Sequence, residues 1–205
     1  MGVPVLILGE SGTGKSASMR NCTPDRFGII NVSKKPLPFK SNIKTFNTDD
    51  YGKIIGALKI AKVPSIVIDD SQYLLANELF DRANEKGYDK FTNMAANFRD
   101  LIHFVNELED EDKIVYFLHH PETDSNTGRV KAKTIGRMLD EKLTLEGCFD
   151  IVLHAKTDGT EHWFSTQSDG TDTAKSPEEM FEAKIPNDLA FVDRTIRDYY
   201  GMGAV

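Results

Sequence analysis

Residues 3–19 read VPVLILGESGTGKSASM. The run that ends at Gly9 is short and continuously apolar, which is typical of a strand buried on both faces of a sheet. Small residues follow, and Lys15 then opens a segment that we expect to be helical. A buried strand, a glycine-rich turn and a helix start in this order predict an α/β fold with the turn at the carboxyl edge of the sheet.

Four further apolar runs resemble the first one, at 26–32, 65–70, 113–120 and 149–157. Helical patterns lie between several of them, most clearly over 91–108, where apolar residues recur at spacings of three and four. We also expect helices over 51–62 and 187–200. Buried strands that alternate with helices predict an α/β protein with a mostly parallel central sheet flanked by helices.

The last third of the chain predicts an antiparallel addition to this sheet. Two strand-like runs are separated by Asp158-Gly159, a strong signal for a two-residue hairpin turn. We therefore expect one α/β domain over residues 1–205, with a C-terminal antiparallel hairpin.

Composition limits the possible classes of protein. The chain has 205 residues, 28% of them charged, and a formal net charge of −7. No apolar run approaches the length of a membrane span, and two cysteines suit a reducing compartment. We expect a cytoplasmic protein without a membrane partner, on which any nucleic-acid surface is local.

The segment GESGTGKS at 9–16 matches the phosphate-binding pattern G-x-x-x-x-G-K-[ST] in its required place between a strand and a helix. Its glycines let backbone N–H groups turn inward around phosphate oxygens. Lys15 offers a positive charge to the β- and γ-phosphates, and the Ser16 hydroxyl is a ligand for Mg²⁺. The alternative is a coincidental turn rich in glycine and serine. We predict that ATP with Mg²⁺ contacts Gly9, Glu10, Ser11, Gly12, Thr13, Gly14, Lys15, Ser16 and Ala17.

The run SIVIDD supplies the acids that such a site needs. It delivers Asp69 to the carboxyl end of a strand, where we expect it to be the second protein partner of Mg²⁺. Asp70 would orient or deprotonate the attacking water. An apolar strand that ends in two aspartates can also simply be reaching solvent.

The strand 113–118 ends in His119-His120. Either histidine could contact the γ-phosphate or its water and report hydrolysis, or it could make a structural hydrogen bond at the strand end. The two cannot share one metal ion, because adjacent strand residues point to opposite faces.

A concentrated basic stretch, 128–139, follows this strand after a long loop. Its cations could bind a nucleic-acid backbone, reach the nucleotide of a neighbouring subunit, or be solvated. In the loop 84–90, Tyr88 could stack on unpaired bases. The candidates for DNA or trans contacts are Arg129, Lys131, Lys133, Arg137 and Tyr88.

The order of these parts resembles the RecA-like core ATPases, over nearly the whole chain. More narrowly, it is similar to small phage-encoded ATP-binding proteins of the single-strand annealing type. The resemblance implies a P-loop ATPase whose hydrolysis is stimulated by single-stranded DNA in recombination or replication. It also implies a homo-oligomer, a single-strand binding or replication protein as partner, and the bacterial host cytoplasm as compartment. Under it, Lys15, Asp70, His119 and His120 are the catalytic residues, and Lys131 and Lys133 are trans fingers.

One departure leaves alternatives open. RecA-like recombinases carry a catalytic glutamate at the end of the strand after the phosphate-loop helix, whereas here that strand runs into NVSKKP, which has no acid. Either Asp70 takes this role or hydrolysis is slow. A P-loop kinase is a second reading, although only Arg129 and Arg137 are available for its lid. A non-catalytic ATP-dependent switch or loader for a partner protein is the third.

Overall fold

The structure, a computed structural model, describes residues 1–135 and 144–203. Its main sheet has eight strands in the spatial order β10-β9-β8-β1-β5-β4-β2-β3, and a second, two-stranded sheet pairs β6 with β7. The strands are β1 (Val3–Leu8), β2 (Phe27–Asn31), β3 (Thr45–Asn47), β4 (Ser65–Asp69), β5 (Ile114–His119), β6 (Pro121–Thr123), β7 (Val130–Ala132), β8 (Ile151–Thr157), β9 (His162–Ser165) and β10 (Lys184–Pro186).

Among residues 1–135 and 144–203, four α-helices and two short 3-10 helices accompany the sheets. The α-helices are α1 (Tyr51–Ile60), α2 (Gln72–Asp81), α3 (Asp89–Asn106) and α4 (Leu189–Tyr200). The 3-10 helices cover Ser16–Asn21 and Leu145–Cys148. In the part of the chain that the structure describes, no helix is both long enough and apolar enough to cross a membrane.

The predicted α/β architecture with a mostly parallel sheet is confirmed. All pairings from β8 through β1, β5, β4 and β2 to β3 are parallel, and β9 and β10 add antiparallel strands at the β8 edge. The hairpin between β8 and β9 is also confirmed, but its loop has four residues, 158–161, because Thr157 pairs with His162. The Asp158 carboxylate accepts hydrogen bonds from the backbone N–H groups of Thr160 and Glu161 and closes this longer turn.

Alternate residues of the strands pack on two cores, one on each face of the sheet. Leu6 and Leu8 face a core that includes the buried side chains of α1, α2 and α3. Val5 and Ile7 face the core built with α4 and the first 3-10 helix. The apolar stripe predicted within 91–108 is buried against the sheet on α3. Each fully buried side chain of this kind stabilises the fold by about 1.5–3 kcal/mol.

The segment after Lys15 differs from the expected helix. It forms only the six-residue 3-10 helix Ser16–Asn21, and Cys22 is already extended. The proline at 24 disfavours a helical conformation for the residue before it, so the helix cannot continue. A helix this short contributes little dipole, so an anion at residues 9–16, the phosphate loop of the sequence motif, would be held mainly by backbone N–H groups and by Lys15.

Helix α3 runs antiparallel to the neighbouring strands. Near its C-terminus the Val105 carbonyl approaches Gly2, which precedes β1, and near its middle the Phe98 ring contacts the His119 ring at the end of β5. The helix begins at Asp89, and at 1.5 Å per residue its first part extends about 13 Å past the carboxyl edge of the sheet. Tyr88 therefore lies beyond the carboxyl edge of the sheet, the edge at which the phosphate loop is found.

Candidate functional site

The phosphate loop borders a cavity of about 730 Å³ at the carboxyl edge of the sheet. The loop glycines have distinct roles. Gly12 and Gly14 have φ values of +86° and +90°, a backbone conformation that other residues rarely adopt. Gly9 is required by close packing, since a Cβ there would lie 2.9 Å from the Cβ of Ala155. Of the predicted ligand-binding residues, the cavity is lined by Glu10, Ser11, Gly12, Gly14, Lys15, Ser16 and Ala17.

Lys15 folds back onto its own loop. Its Nζ donates hydrogen bonds to the carbonyl oxygens of Gly9 and Glu10, the latter at 3.1 Å. Burial lowers the pKa of Lys15 to about 8, and the nearby carboxylates of Asp70 and Asp69 offset only part of this effect. The site therefore holds a cation whose desolvation is poorly compensated, which a phosphate oxygen would relieve.

Ser16 and Asp69 meet at the base of the loop. The Ser16 Oγ donates to Asp69 Oδ1 at 2.9 Å, although the two residues are 53 positions apart in the chain. Burial raises the pKa of Asp69 to about 6. A hydroxyl and a carboxylate in contact are oxygen ligands suited to Mg²⁺, which usually completes its coordination with phosphates and water.

Asp70 and His120 lie in the cavity beside this pair. The carboxylate of Asp70 is 3.4 Å from His120 Nε2, and hydrogen bonds from His120 and, more weakly, from Ser33 lower its pKa despite partial burial. Asp70 has a φ of +59°, a conformation that costs about 1 kcal/mol or more outside glycine and persists where the surroundings enforce it. Hydrogen bonds on both sides hold it, from Tyr73 N to the Asp70 carbonyl and from Val32 N to the Asp69 carbonyl.

His119 does not line the cavity. It is fully buried, with Nε2 at 2.8 Å from the Lys133 carbonyl oxygen and Nδ1 at 2.9 Å from Ser71 Oγ. Because a carbonyl can only accept, Nε2 carries the proton and Nδ1 accepts from the serine. Burial lowers the pKa of His119 to about 4, which keeps the ring neutral. Of the two predicted sensor residues, the cavity contains His120.

The long loop after β5 is an ordered hairpin of β6 and β7. Arg129 Nε donates to the Asp172 carbonyl at 2.7 Å, and Lys131 lies 3.3 Å from the Asp124 carboxylate. The Lys133 side chain is exposed. Arg137 lies outside the described residues. Tyr88, at the start of α3, is 88% exposed.

Sequence reasoning missed several side chains that complete the cavity wall. They are Arg20, Lys35, Tyr73, His162 and Asn187. Lys35 lies over the Tyr73 ring, 5.3 Å from its centroid, and Tyr73 contacts His120 edge-on. Lys35 belongs to NVSKKP, the segment at the end of β2 that has no acid. No sequence signal points to His162 or Asn187, because their place depends on how the C-terminal strands join the sheet.

The strand β2 ends in an amide, whereas the resemblance to RecA-like ATPases leads us to expect an acid near this strand end. Asn31 pairs with Asp69 in the register of β2 and β4. Its side chain is used locally, with Nδ2 donating to the Lys35 carbonyl at 2.7 Å and Oδ1 accepting from Lys34 N at 2.9 Å. Asn31 thus shapes the turn that carries Lys35 to the cavity.

A scan against protein-family models finds no match, and a search of the curated proteins finds none either. The site geometry must therefore support any functional conclusion. It combines a glycine loop, a buried cation, a hydroxyl–carboxylate pair and a carboxylate–imidazole pair around one cavity. This set can hold a polyphosphate with a divalent cation and can position a water molecule beside it.

Proposed function

We propose that the protein binds ATP with Mg²⁺ and hydrolyses it, and that single-stranded DNA stimulates the hydrolysis in recombination or replication. The observation that supports this best is the contact between Ser16 Oγ and Asp69 Oδ1 at 2.9 Å, next to the buried Lys15. A glycine-rich turn formed by chance would not bring the hydroxyl that follows it into contact with a carboxylate at the end of β4, beside a buried lysine.

The residues present fit a Mg²⁺ ion. Ser16 and Asp69 would hold it, because their contact at 2.9 Å places a hydroxyl and a carboxylate oxygen side by side. Bound there, the ion would neutralise charge on the β- and γ-phosphates. Lys15 would exchange its bonds to the loop carbonyls for phosphate oxygens, which recovers the cost of burying its charge.

Asp70 is our candidate for handling the attacking water. Its lowered pKa keeps it a carboxylate at neutral pH, so it can accept a hydrogen bond from the water. His120 holds the carboxylate in place. The water oxygen forms a bond to the γ-phosphorus as the bond from phosphorus to the bridging oxygen of ADP breaks, and the water passes one proton to an oxygen of the transferred phosphate, giving ADP and phosphate.

The placement of Lys133, which follows the β6–β7 hairpin, and of Tyr88 supports the DNA part of the proposal. Both lie on the carboxyl side of the sheet, as the nucleotide cavity does, and Tyr88 presents an exposed ring that could stack on a base. The hairpin is joined to the end of β5 through the bond from His119 to the Lys133 carbonyl. The backbone of a single strand would thus meet Lys133, whose carbonyl is bound to the end of β5, while its bases could reach Tyr88 at the start of α3.

The test is ATP turnover with and without single-stranded DNA, using Lys15→Ala as the blank. We expect stimulation in the wild type and its loss in the double variant Tyr88→Ala, Lys133→Ala. The matched control is Tyr199→Ala, Lys62→Ala, which removes the same side-chain types from exposed positions elsewhere. Turnover that ignores DNA would overturn the DNA part, and transfer of phosphate to a nucleoside monophosphate would make the protein a kinase.

A second function is favoured by one observation. An amide, Asn31, stands beside Asp69 where an acid would speed hydrolysis. The protein would then be a nucleotide-dependent switch or loader for a partner protein. Tight ATP binding with negligible turnover, even with DNA present, would identify it.

A further inference from the structure

One part of the cavity wall comes from the side of β1 opposite to the strands that carry Asp69, Asp70 and His120. Measured from β1, the strands that supply Asp69, Asp70 and His120 all lie on one side in the sheet order, whereas β8, β9 and β10 lie on the other. The cavity wall includes His162 from β9 and Asn187, which follows β10. The space therefore continues past the phosphate loop toward the C-terminal edge of the sheet.

Asn187 brings an unsatisfied polar group to this end. The residue is 3% exposed, and its Nδ2 has no hydrogen-bond partner among residues 1–135 and 144–203. Its backbone carbonyl accepts from Arg20 Nη1 at 2.8 Å, and its Oδ1 faces the same guanidinium nitrogen at 3.5 Å. This contact with a donor identifies the oxygen of the amide and leaves the nitrogen as the unpaired group. A buried donor without an acceptor favours a ligand that brings one.

His162 and Asn187 are seated directly against the phosphate loop. His162 Nδ1 lies 3.1 Å from the Thr13 carbonyl oxygen, to which it donates. A Cβ added to Gly14 would lie 3.1 Å from both Asn187 Oδ1 and His162 Nδ1. The unpaired Nδ2 is thus held at the loop itself, at a fixed distance from whatever the loop binds.

The polarity of a bound triphosphate follows from the proposed function, on which this inference rests. The pair Ser16–Asp69 and the water-handling Asp70 mark the γ-phosphate end, on the β4 and β5 side of the loop. The chain of phosphates then crosses the loop, and the sugar and base must leave on the opposite side. We infer that Asn187, with Arg20 and His162, forms the nucleoside end of the site, where Asn187 Nδ2 donates to an acceptor atom of the ribose or the base.

The experiment compares the affinity of the full chain for Mg-ATP and for Mg-tripolyphosphate, which lacks the nucleoside. A net hydrogen bond of about 1 kcal/mol corresponds to a five- to tenfold change in affinity. Asn187→Ala should therefore weaken ATP binding about five- to tenfold and leave tripolyphosphate binding unchanged.

Controls separate this role from a structural one. Asn187→Ala keeps the backbone carbonyl that binds Arg20 and removes a donor that has no partner, so its urea midpoint should stay near that of the wild type. Gln167→Ala, on an exposed segment after β9, should alter neither affinity. Equal weakening of both ligands would make Asn187 only a support for the loop and would overturn the inference, as would no change for either.

Failure of the proposed function would look different. If the wild type binds neither ligand, the phosphate site itself is wrong and the inference falls with it. If the wild type binds tripolyphosphate as tightly as ATP, the phosphate site stands and the nucleoside end alone is refuted.

Discussion

Replacing Asp69 by asparagine should stabilise the ligand-free protein while it removes one of the two proposed magnesium ligands. Asp69 is a buried carboxylate that accepts one hydrogen bond from a side chain, that of Ser16. Burial raises its pKa from 3.8 to about 6. Since the folded state holds the proton more tightly than the unfolded state, ionisation of Asp69 costs stability, and the cost grows as the pH rises from about 4 to about 6.

The size of the effect follows from the shift. A shift of roughly two pKa units, at about 1.4 kcal/mol per unit, means that the ionised form costs about 3 kcal/mol above pH 6. Asparagine removes this cost and keeps an oxygen for Ser16. It adds a buried NH₂ group without a partner, however, which destabilises the variant by about 1–2 kcal/mol. We expect Asp69→Asn to be more stable by about 1–2 kcal/mol at pH 7. From pH 5 to pH 7 the advantage should grow by about 1.3 kcal/mol.

Urea unfolding at both pH values, with and without Mg-ATP, measures this. At a hundred times its dissociation constant a ligand adds about 2.7 kcal/mol to the wild type, whereas the variant should gain much less. The order of stability should therefore reverse when Mg-ATP is added. A variant less stable than the wild type at pH 7 without ligand, or an advantage that does not change with pH, would refute the reasoning from burial.

Three other predictions follow from the same structure. The pKa of Lys15 in the ligand-free protein is about 8. ATP affinity measured by titration should therefore fall about tenfold from pH 7 to pH 9 as the ammonium loses its proton, whereas the ATP affinity of Lys15→Arg should not change over this pH range. Gly14→Ala should destabilise the protein to urea by about 1 kcal/mol more than Gly12→Ala, because both have positive φ but only Gly14 lies against Asn187; equal losses would contradict this. Burial lowers the pKa of His119 to about 4, so the unfolded state binds the extra proton and stability should fall as the pH drops from about 6.5 to 4. His119→Gln should lose less stability over that range in acid denaturation.

The phosphate loop and its acids could be predicted because they depend on local pattern and on one topological rule. An apolar run that ends in glycine or aspartate places that residue at a strand end, and parallel strands share their carboxyl edge. This rule is enough to predict that Ser16 and Asp69 meet, 53 positions apart. The alternation of side chains along a strand likewise predicts that the His119 and His120 side chains point to opposite faces.

What sequence reasoning missed depends on competition between local and distant contacts. The helix expected after Lys15 ends at Asn21, shortly before the proline at 24. This proline is a local stop signal, whereas the phosphate-binding pattern predicts a longer helix. By contrast, His162 reaches Thr13 across 149 positions, and Asn187 reaches Arg20 across 167. Nothing in the residues around 162 or 187 encodes that contact, because it arises from the way β9 and β10 extend the sheet past β8.

The end of β5 lies between the cavity and the segment at Lys133, and it contacts both. His120 contacts Asp70 in the cavity, and His119, the residue before it, is bound to the Lys133 carbonyl just after the β6–β7 hairpin. The backbone is also held here, since His119 pairs with Leu8 of β1 and the His120 carbonyl accepts a hydrogen bond from Lys133 N at 3.0 Å. A ligand that shifts the His120 backbone would therefore strain these bonds or move the segment at Lys133 with it. This is the kind of two-ended element through which a nucleotide and a strand of DNA could each alter the affinity of the other.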